Sequence, residues 1–405
     1  MAYAGKLTLE LVCHVVDNYG DIAVVWRLAQ ALVEDLATGL YGDWQVRVLV
    51  DDLVAFLALN PSGHTASVTV LDSRDASALR SVPLPDVILE AFGAPTPVER
   101  LEAFFVSAEG DSGGAGGLRS RVLVHLEYLT AESWSERYHL LPSPLGRPGV
   151  ERVFFVPGFR EQTGGLVFTD RQFDLGPQSL PPELRRGDEE LLVTVFSYEH
   201  DFAHLWEALA TRLAAPTGTK SAPTARVMVF EGRQREGALA SWERVKARLG
   251  TDLAPTLGRL TIQLVPFVSQ DAYTALVNQA DFNVVRGEES WVTAVLSGKP
   301  FLWHAYLQDE NHQLVKVNAF LEVLEPRFAG EGALGAEAFS RLAHEFREFN
   351  DRLTNLSSGP ALEHYSVFFE HQELLTRVHS AWAHELRKSH KLSRRLLDFL
   401  NGFQL

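Results

Sequence analysis

The chain is poor in sulfur: among 405 residues it has one cysteine, Cys13, and two methionines. A single cysteine excludes an internal disulfide and suits a reducing compartment. Its place inside an apolar, β-branched run makes it a small buried hydrophobe rather than a nucleophile. Positive charge is also scarce. Lys and Arg number 37 against 52 Asp and Glu, a formal net charge of −15. That balance argues against a broad basic footprint for nucleic acid. No stretch approaches a charge-free membrane span. The start of the chain lacks the basic-then-apolar order of a signal peptide. These absences point to the cytoplasm, with no direct nucleic-acid or membrane partner. There is no DxD string, and His14, His125, His304 and His312 are scattered without ligand spacing. No metal and no cofactor are expected.

What is present alternates between two periods. Residues 7–16 are apolar and β-branched and read as a buried strand. Asp17-Asn18-Tyr19-Gly20-Asp21 breaks it. Val25, Leu28, Ala29 and Leu32 then recur at i, i+3, i+4 and i+7, which is one face of a helix. Strand signals follow at 44–50, 67–71, 86–92 and 121–126. Residues 141–144, 157–159 and 164–165 mark irregular structure, and Pro181-Pro182 marks a domain boundary. The alternation restarts at 191–196, 226–230, 260–265 and 281–285. A helix over 290–297 is ended by Gly298 and Pro300, and the next strand begins there. The glycine-rich 111–117 and the segment 215–223 read as loop insertions, and the first lacks the Lys-Ser/Thr of a phosphate loop. Roughly the last sixty residues carry helical periodicity only.

Two successive α/β units imply two Rossmann-like, doubly wound domains facing a cleft, followed by a helical C-terminal tail. The expected divisions are 1–182, 183–365 and 366–405, the last packing back toward the N-terminal domain. In open α/β sheets ligands bind outside the carboxyl ends of the strands. Asp17 and Asp21 sit at such an end, although Asp21 also reads as a helix cap. In the second unit, Phe196-Ser197-Tyr198-Glu199, Pro266-Phe267-Val268-Ser269-Gln270 and Arg286-Gly287-Glu288-Glu289-Ser290 all end strands, and they converge on one sheet edge. Aromatic rings there can stack on a base, while Arg286, Ser290 and helix amides can hold a diphosphate. Glu288 is anomalous beside a diphosphate unless it orients a sugar hydroxyl or a second group. The plainer alternatives are a surface ion pair of Arg286 with Glu288 and core positions for Phe196 and Phe267.

Residues 15–23, with Trp26-Arg27-Leu28-Ala29, resemble the opening of the protein-arginine rhamnosyltransferases of the EarP family. Further segments resemble it in the family's order: 127–132, 140–144, 154–159, 163–166, Arg286-Gly287-Glu288 and 298–304. The resemblance implies a two-domain (GT-B) glycosyltransferase. It implies inverting, metal-independent transfer of L-rhamnose from dTDP-β-L-rhamnose to an arginine of translation elongation factor P, which then relieves ribosomes stalled at proline runs. The first domain would bind the acceptor protein and the second the dTDP-sugar. Asp21 is the implied base, Asp17 its partner in positioning the arginine, and Glu288 a positioning group for sugar or acceptor. Tyr198, Phe196, Phe267, Val268, Ser269 and Gln270 would line the dTDP pocket. Arg286, Gly287, Glu289 and Ser290 would hold the diphosphate end, and Asn18, Tyr19 and Gly20 would close the site from the first domain. Glu289 stands where the family usually has aspartate, and Thr293, Val295 and Ala23 also depart from its pattern. The residues alone do not divide the roles of Asp17 and Asp21. They also leave open another acceptor, a sugar-nucleotide epimerase, or a non-catalytic binder of elongation factor P.

Overall fold

The computed structural model describes residues 6–15, 19–60, 67–111, 121–214, 224–249, 258–351 and 364–403. Asp17, Asn18, the glycine-rich 112–117 and the loop 215–223 lie outside them. The chain divides into two units, residues 1–171 with 388–405, and residues 172–387.

The first unit holds one six-stranded sheet in the order β3-β2-β1-β4-β5-β6. Its strands are β1 (Leu7–Cys13), β2 (Trp44–Val50), β3 (Val68–Asp72), β4 (Val87–Ala91), β5 (Arg121–Leu126) and β6 (Val150–Phe155). All pairings are parallel. Parallel strands are covered on both faces, which is why they read as nearly continuous apolar runs. On one face Leu9, Leu11, Val46, Val48 and Leu89 pack with Ile22, Val25 and Leu28 of helix Gly20–Leu36. On the other, Val12, Leu49, Ile88 and Leu123 pack with Phe104 and Phe105 of helix Val98–Asp111. Charged side chains also lie inside. Glu10 of β1 accepts from Arg100 Nε at 2.5 Å and Arg47 Nη1 at 2.7 Å, and all three side chains are buried.

Strand β6 has no counterpart in the sequence reading. It is the edge strand beside β5, and Glu151-Arg152 interrupts its apolar pattern. An edge strand needs no continuous hydrophobic run.

The second unit holds a five-stranded sheet, β11-β10-β7-β8-β9, again all parallel. Its strands are β7 (Glu190–Val195), β8 (Thr224–Phe230), β9 (Leu260–Val265), β10 (Phe282–Arg286) and β11 (Phe301–His304). Each sheet therefore has the doubly wound strand order, with a switch point between β1 and β4 in one and between β7 and β10 in the other.

Two expected boundaries move. Pro181-Pro182 is not the divide. Residues 172–186 strap onto the second unit, where Leu180 and Leu184 enter its core. There Asn278 Nδ2 donates to the carbonyls of Gln172 (3.1 Å) and Leu175 (3.0 Å), and Gln279 Nε2 to that of Leu184 (2.7 Å). Both prolines belong to one short 3-10 turn of this strap, Pro182–Leu184, with Pro181 as its N-cap. Nor do residues 366–405 act as one tail. Phe368 stacks on Phe282 at 4.2 Å, and Ser380 Oγ donates to the Gly298 carbonyl at 2.9 Å, so helix Gln372–Ser389 belongs mainly to the second unit.

Only helix Leu392–Leu400 with its flanks completes the first unit. Leu392, Leu396, Leu397 and Leu400 close the core against helix Gly20–Leu36. Beside them Lys391, 1% exposed, donates to Glu34 (2.7 Å), Asp35 (3.0 Å) and Asp170 (3.0 Å). Asp35 also accepts from Ser393 Oγ at 2.5 Å and Arg394 Nε at 3.0 Å. Burial opposes the charge of Lys391, yet its bonds to Glu34, Asp35 and Asp170 hold its pKa above the usual lysine value. Removing one partner of a buried ion pair leaves the other charge uncompensated, at a cost of about 3–5 kcal/mol. Lys391→Met is therefore expected to lower stability by about that amount at neutral pH in urea denaturation. Because the folded pKa is raised, the wild-type contribution is full below the unfolded lysine pKa of about 10.4 and is lost as pH rises through the folded value.

Candidate active site

In the first unit the site begins where β1 ends. Val15 N donates to Asp51 Oδ1 at 2.9 Å, and His14 pairs with the same carboxylate. Asp51, the first residue after β2, thus anchors the chain as it leaves the sheet. Tyr19, exposed, is the N-cap of helix Gly20–Leu36, and its carbonyl accepts from Ala23 N at 3.0 Å. Gly20 opens the helix and is also exposed. Asp21 follows, half-buried in the first turn, so it is not the cap, and a carboxylate there is favoured by the helix field. Burial, then the charges of Asp21 and Asp51, push the Cys13 thiol far up, which keeps it protonated. The carboxyl end of β1 is an acidic locus with an inert thiol beneath it.

In the second unit several sequence-selected residues meet. The Arg286 guanidinium carbon lies 4.6 Å from the ring centroid of Phe196 and 4.8 Å from that of Tyr198. Two aromatic faces hold this cation at the end of β10. Phe196 is half-buried, with its ring 5.8 Å from Phe230 and 5.5 Å from Tyr273. It is thus both core and platform. Gly287 follows with φ +63°, a left-handed turn that opens helix Glu289–Ser297. Its carbonyl accepts from Trp303 Nε1 at 3.1 Å. Glu288 is the half-buried N-cap of that helix, and its side chain does not cap it. Arg286 N donates to Ser290 Oγ at 3.2 Å, and Ser290 Oγ in turn donates to the Arg286 carbonyl.

A second helix N-terminus stands beside the first. Ser269 caps helix Gln270–Gln279 by accepting from Ala272 N at 3.3 Å. Gln270 Nε2 donates to Glu289 Oε1 at 3.0 Å, which ties the two helix starts together. Thr293 Oγ1 donates to the same Glu289 oxygen at 3.3 Å, so two of the residues that depart from the family pattern touch each other. Val268 is half-buried against the core. Phe267 is 50% exposed and so is not a core residue. Unpaired amides in the first turns of helices attract anions, and they stand here beside a guanidinium.

The sequence reading did not select Asp51, His304 or Tyr306. Tyr306 is exposed, and its ring meets Tyr198 at 5.7 Å just beyond β11. A signal for all three existed in their positions at or just past strand ends. Asp17 and Asn18 fall outside the described residues. Also among the described residues, no group of three His, Cys, Asp or Glu side chains is arranged to hold a metal ion.

Two switch-point sheets, one ending in carboxylates and the other in a stacked arginine between helix N-termini, make up the two-domain α/β fold of the GT-B class. Spinosyn rhamnosyltransferase SpnG shares the fold, with TM-score 0.50 and 13% identity over 97% of this chain and all of that one. So does the solved structure that gives the basis for EarP-mediated arginine glycosylation of translation elongation factor EF-P. Its TM-score is 0.57 at 23% identity, over 98% of this chain and 99% of that one. The family described as elongation factor P rhamnosyltransferase EarP matches residues 9–401. The protein-arginine rhamnosyltransferase of Pseudomonas putida is 37% identical over 78% of this chain and 81% of its own. That of Neisseria meningitidis serogroup B is 30% identical over 97% and 96%. The chain belongs to the EarP family of protein-arginine rhamnosyltransferases.

Gly287 gives a direct test of the turn. A Cβ there would have open space, so only the backbone angle demands glycine. Gly287→Ala is expected to cost about 1–2 kcal/mol in thermal denaturation, and Gly287→Asn less, because asparagine tolerates the left-handed region.

Proposed function

We propose that this protein transfers L-rhamnose from dTDP-β-L-rhamnose to an arginine side chain of translation elongation factor P. Transfer inverts the sugar carbon, uses neither metal nor organic cofactor, and takes place in the cytoplasm. The observation that carries the reading is the family match across residues 9–401. The absence, among the described residues, of any helix long and apolar enough to cross a membrane is compatible with that setting.

The chemistry assigns roles to the two units. The second unit binds the donor. Tyr198, Phe196, Phe267 and Val268 face the thymine and deoxyribose, with Ser269 and Gln270 beside them. Arg286 and the first-turn amides around Gly287, Glu289 and Ser290 receive the diphosphate. Their positive field stabilises charge on the departing group, the task a cation performs in other transferases. The first unit binds the acceptor protein, and Asn18, Tyr19 and Gly20 contribute to donor binding. A guanidinium is protonated at any physiological pH and is a poor nucleophile. Asp17 and Asp21 orient it and localise its electrons. As one guanidinium nitrogen forms a bond to the sugar carbon, the carbon–oxygen bond to the diphosphate breaks. The nitrogen's proton passes to Asp21, and dTDP departs. Glu288 positions the sugar or the incoming arginine.

Intact-protein mass spectrometry of elongation factor P, incubated with this protein and dTDP-β-L-rhamnose, is expected to show a gain of one deoxyhexose, located on one arginine by fragmentation. Asp21→Asn is expected to slow transfer by about 100- to 10,000-fold, the usual span for a lost general base, with dTDP binding retained. A folded Asp21→Asn protein with wild-type transfer removes the base assignment. Donor consumption at the same rate with and without elongation factor P would point instead to a sugar-nucleotide epimerase.

A further inference from the structure

One buried polar pair lies directly behind the arginine platform. Ser197 follows β7 and His304 ends β11, and both are fully buried. Ser197 Oγ and His304 Nδ1 are hydrogen-bonded at 2.7 Å. Strand β10 runs between those two strands, and its last residue, Arg286, is in register with His304. The bond therefore ties together the two strands that flank the one ending in Arg286.

The imidazole is held from several sides. Asn350 grips the backbone on both sides of it, donating to the Trp303 carbonyl at 2.9 Å and accepting from Ala305 N at 2.8 Å. Phe349 packs on the ring at 4.8 Å and His200 at 5.7 Å. Tyr198, one of the two rings under Arg286, meets His304 edge-on at 5.3 Å. Among the described residues, His304 Nε2 has no hydrogen-bond partner. A leucine in this place would leave no buried nitrogen unsatisfied, so a histidine there calls for a reason. Burial, followed by the nearby His200 and Arg286, drives its pKa well below the ordinary histidine value. The ring is thus neutral and adds no repulsion to the guanidinium beside it.

We propose that His304, through its bond to Ser197 across β10, is a positioning residue that sets the Arg286 guanidinium for the diphosphate of the donor. The proposal rests on the donor-pocket reading above. It concerns the diphosphate end of the donor and not the base.

The test is titration calorimetry of the full chain with dTDP, paired with ligand-observed NMR of thymidine, which lacks the diphosphate. His304→Leu removes the bond to Ser197 and is expected to weaken dTDP binding about tenfold, the size of one hydrogen bond to a charged group, with thymidine binding unchanged. His304→Asn keeps a polar atom near the Nδ1 position and is expected to restore most of the dTDP affinity. Ser197→Ala is expected to act in the same direction as His304→Leu, and it carries the test if the leucine variant does not fold. Wild-type dTDP affinity in both His304→Leu and Ser197→Ala overturns the proposal. So does a loss of thymidine binding in step with dTDP, which marks a general packing defect. A wild-type chain that binds no dTDP at all overturns the pocket reading itself, and the proposal with it.

Discussion

Parallel pairing is the constraint on which the rest depends. Every strand in both sheets runs the same way as its neighbours, so every connection must cross over, and all carboxyl ends in a unit lie on one edge. At the switch point the chain leaves two adjacent strands in opposite directions and opens a crevice there. Phe196, Gln270, Arg286 and Tyr306 are far apart in sequence, yet each lies at or beyond the carboxyl end of a strand of one sheet. Their convergence needs no special loop. It follows from the strand order.

Within that frame, charge is buried where geometry must be held. Glu10 with Arg47 and Arg100 fixes β1, and Asp35 with Lys391 fixes the far end of helix Gly20–Leu36. These are the strand that ends at Cys13 and the helix that carries Asp21. Buried ion pairs contribute little net stability over apolar residues of the same shape, but breaking one is costly. Their effect is to penalise displacement of β1 or of the helix that carries Asp21.

The sequence was most legible where apolar periodicity was strong. The strand signals it carried correspond to observed strands, because buried parallel strands must be apolar throughout. Strand β6 was invisible because an edge position tolerates Glu151-Arg152. Pro181-Pro182 misled because proline marks a turn without saying which unit the turn packs against. The arginine and aromatic segments of the second unit were readable from their positions at strand ends. The stacking of Arg286 on both Phe196 and Tyr198 was not, since pairing across strands depends on register. His304 stayed hidden for the same reason, as its partner Ser197 lies 107 residues away. Glu289 and Thr293 looked like independent departures from the family pattern, whereas the structure joins them at one carboxylate oxygen.

The packing of helix Leu392–Leu400 against helix Gly20–Leu36 sets an order of birth. On the ribosome, N-terminal domains ordinarily fold first. Here residues 172–387 are complete before helix Leu392–Leu400 has been made, while the first unit still lacks four leucines of its core and the lysine that neutralises Asp35. The half of the protein synthesised first is thus the half finished last. The helix that carries Asp21 gains its full support only after helix Leu392–Leu400 has been made, so a chain broken off before that helix can hold an intact second unit while the helix of Asp21 is unsupported.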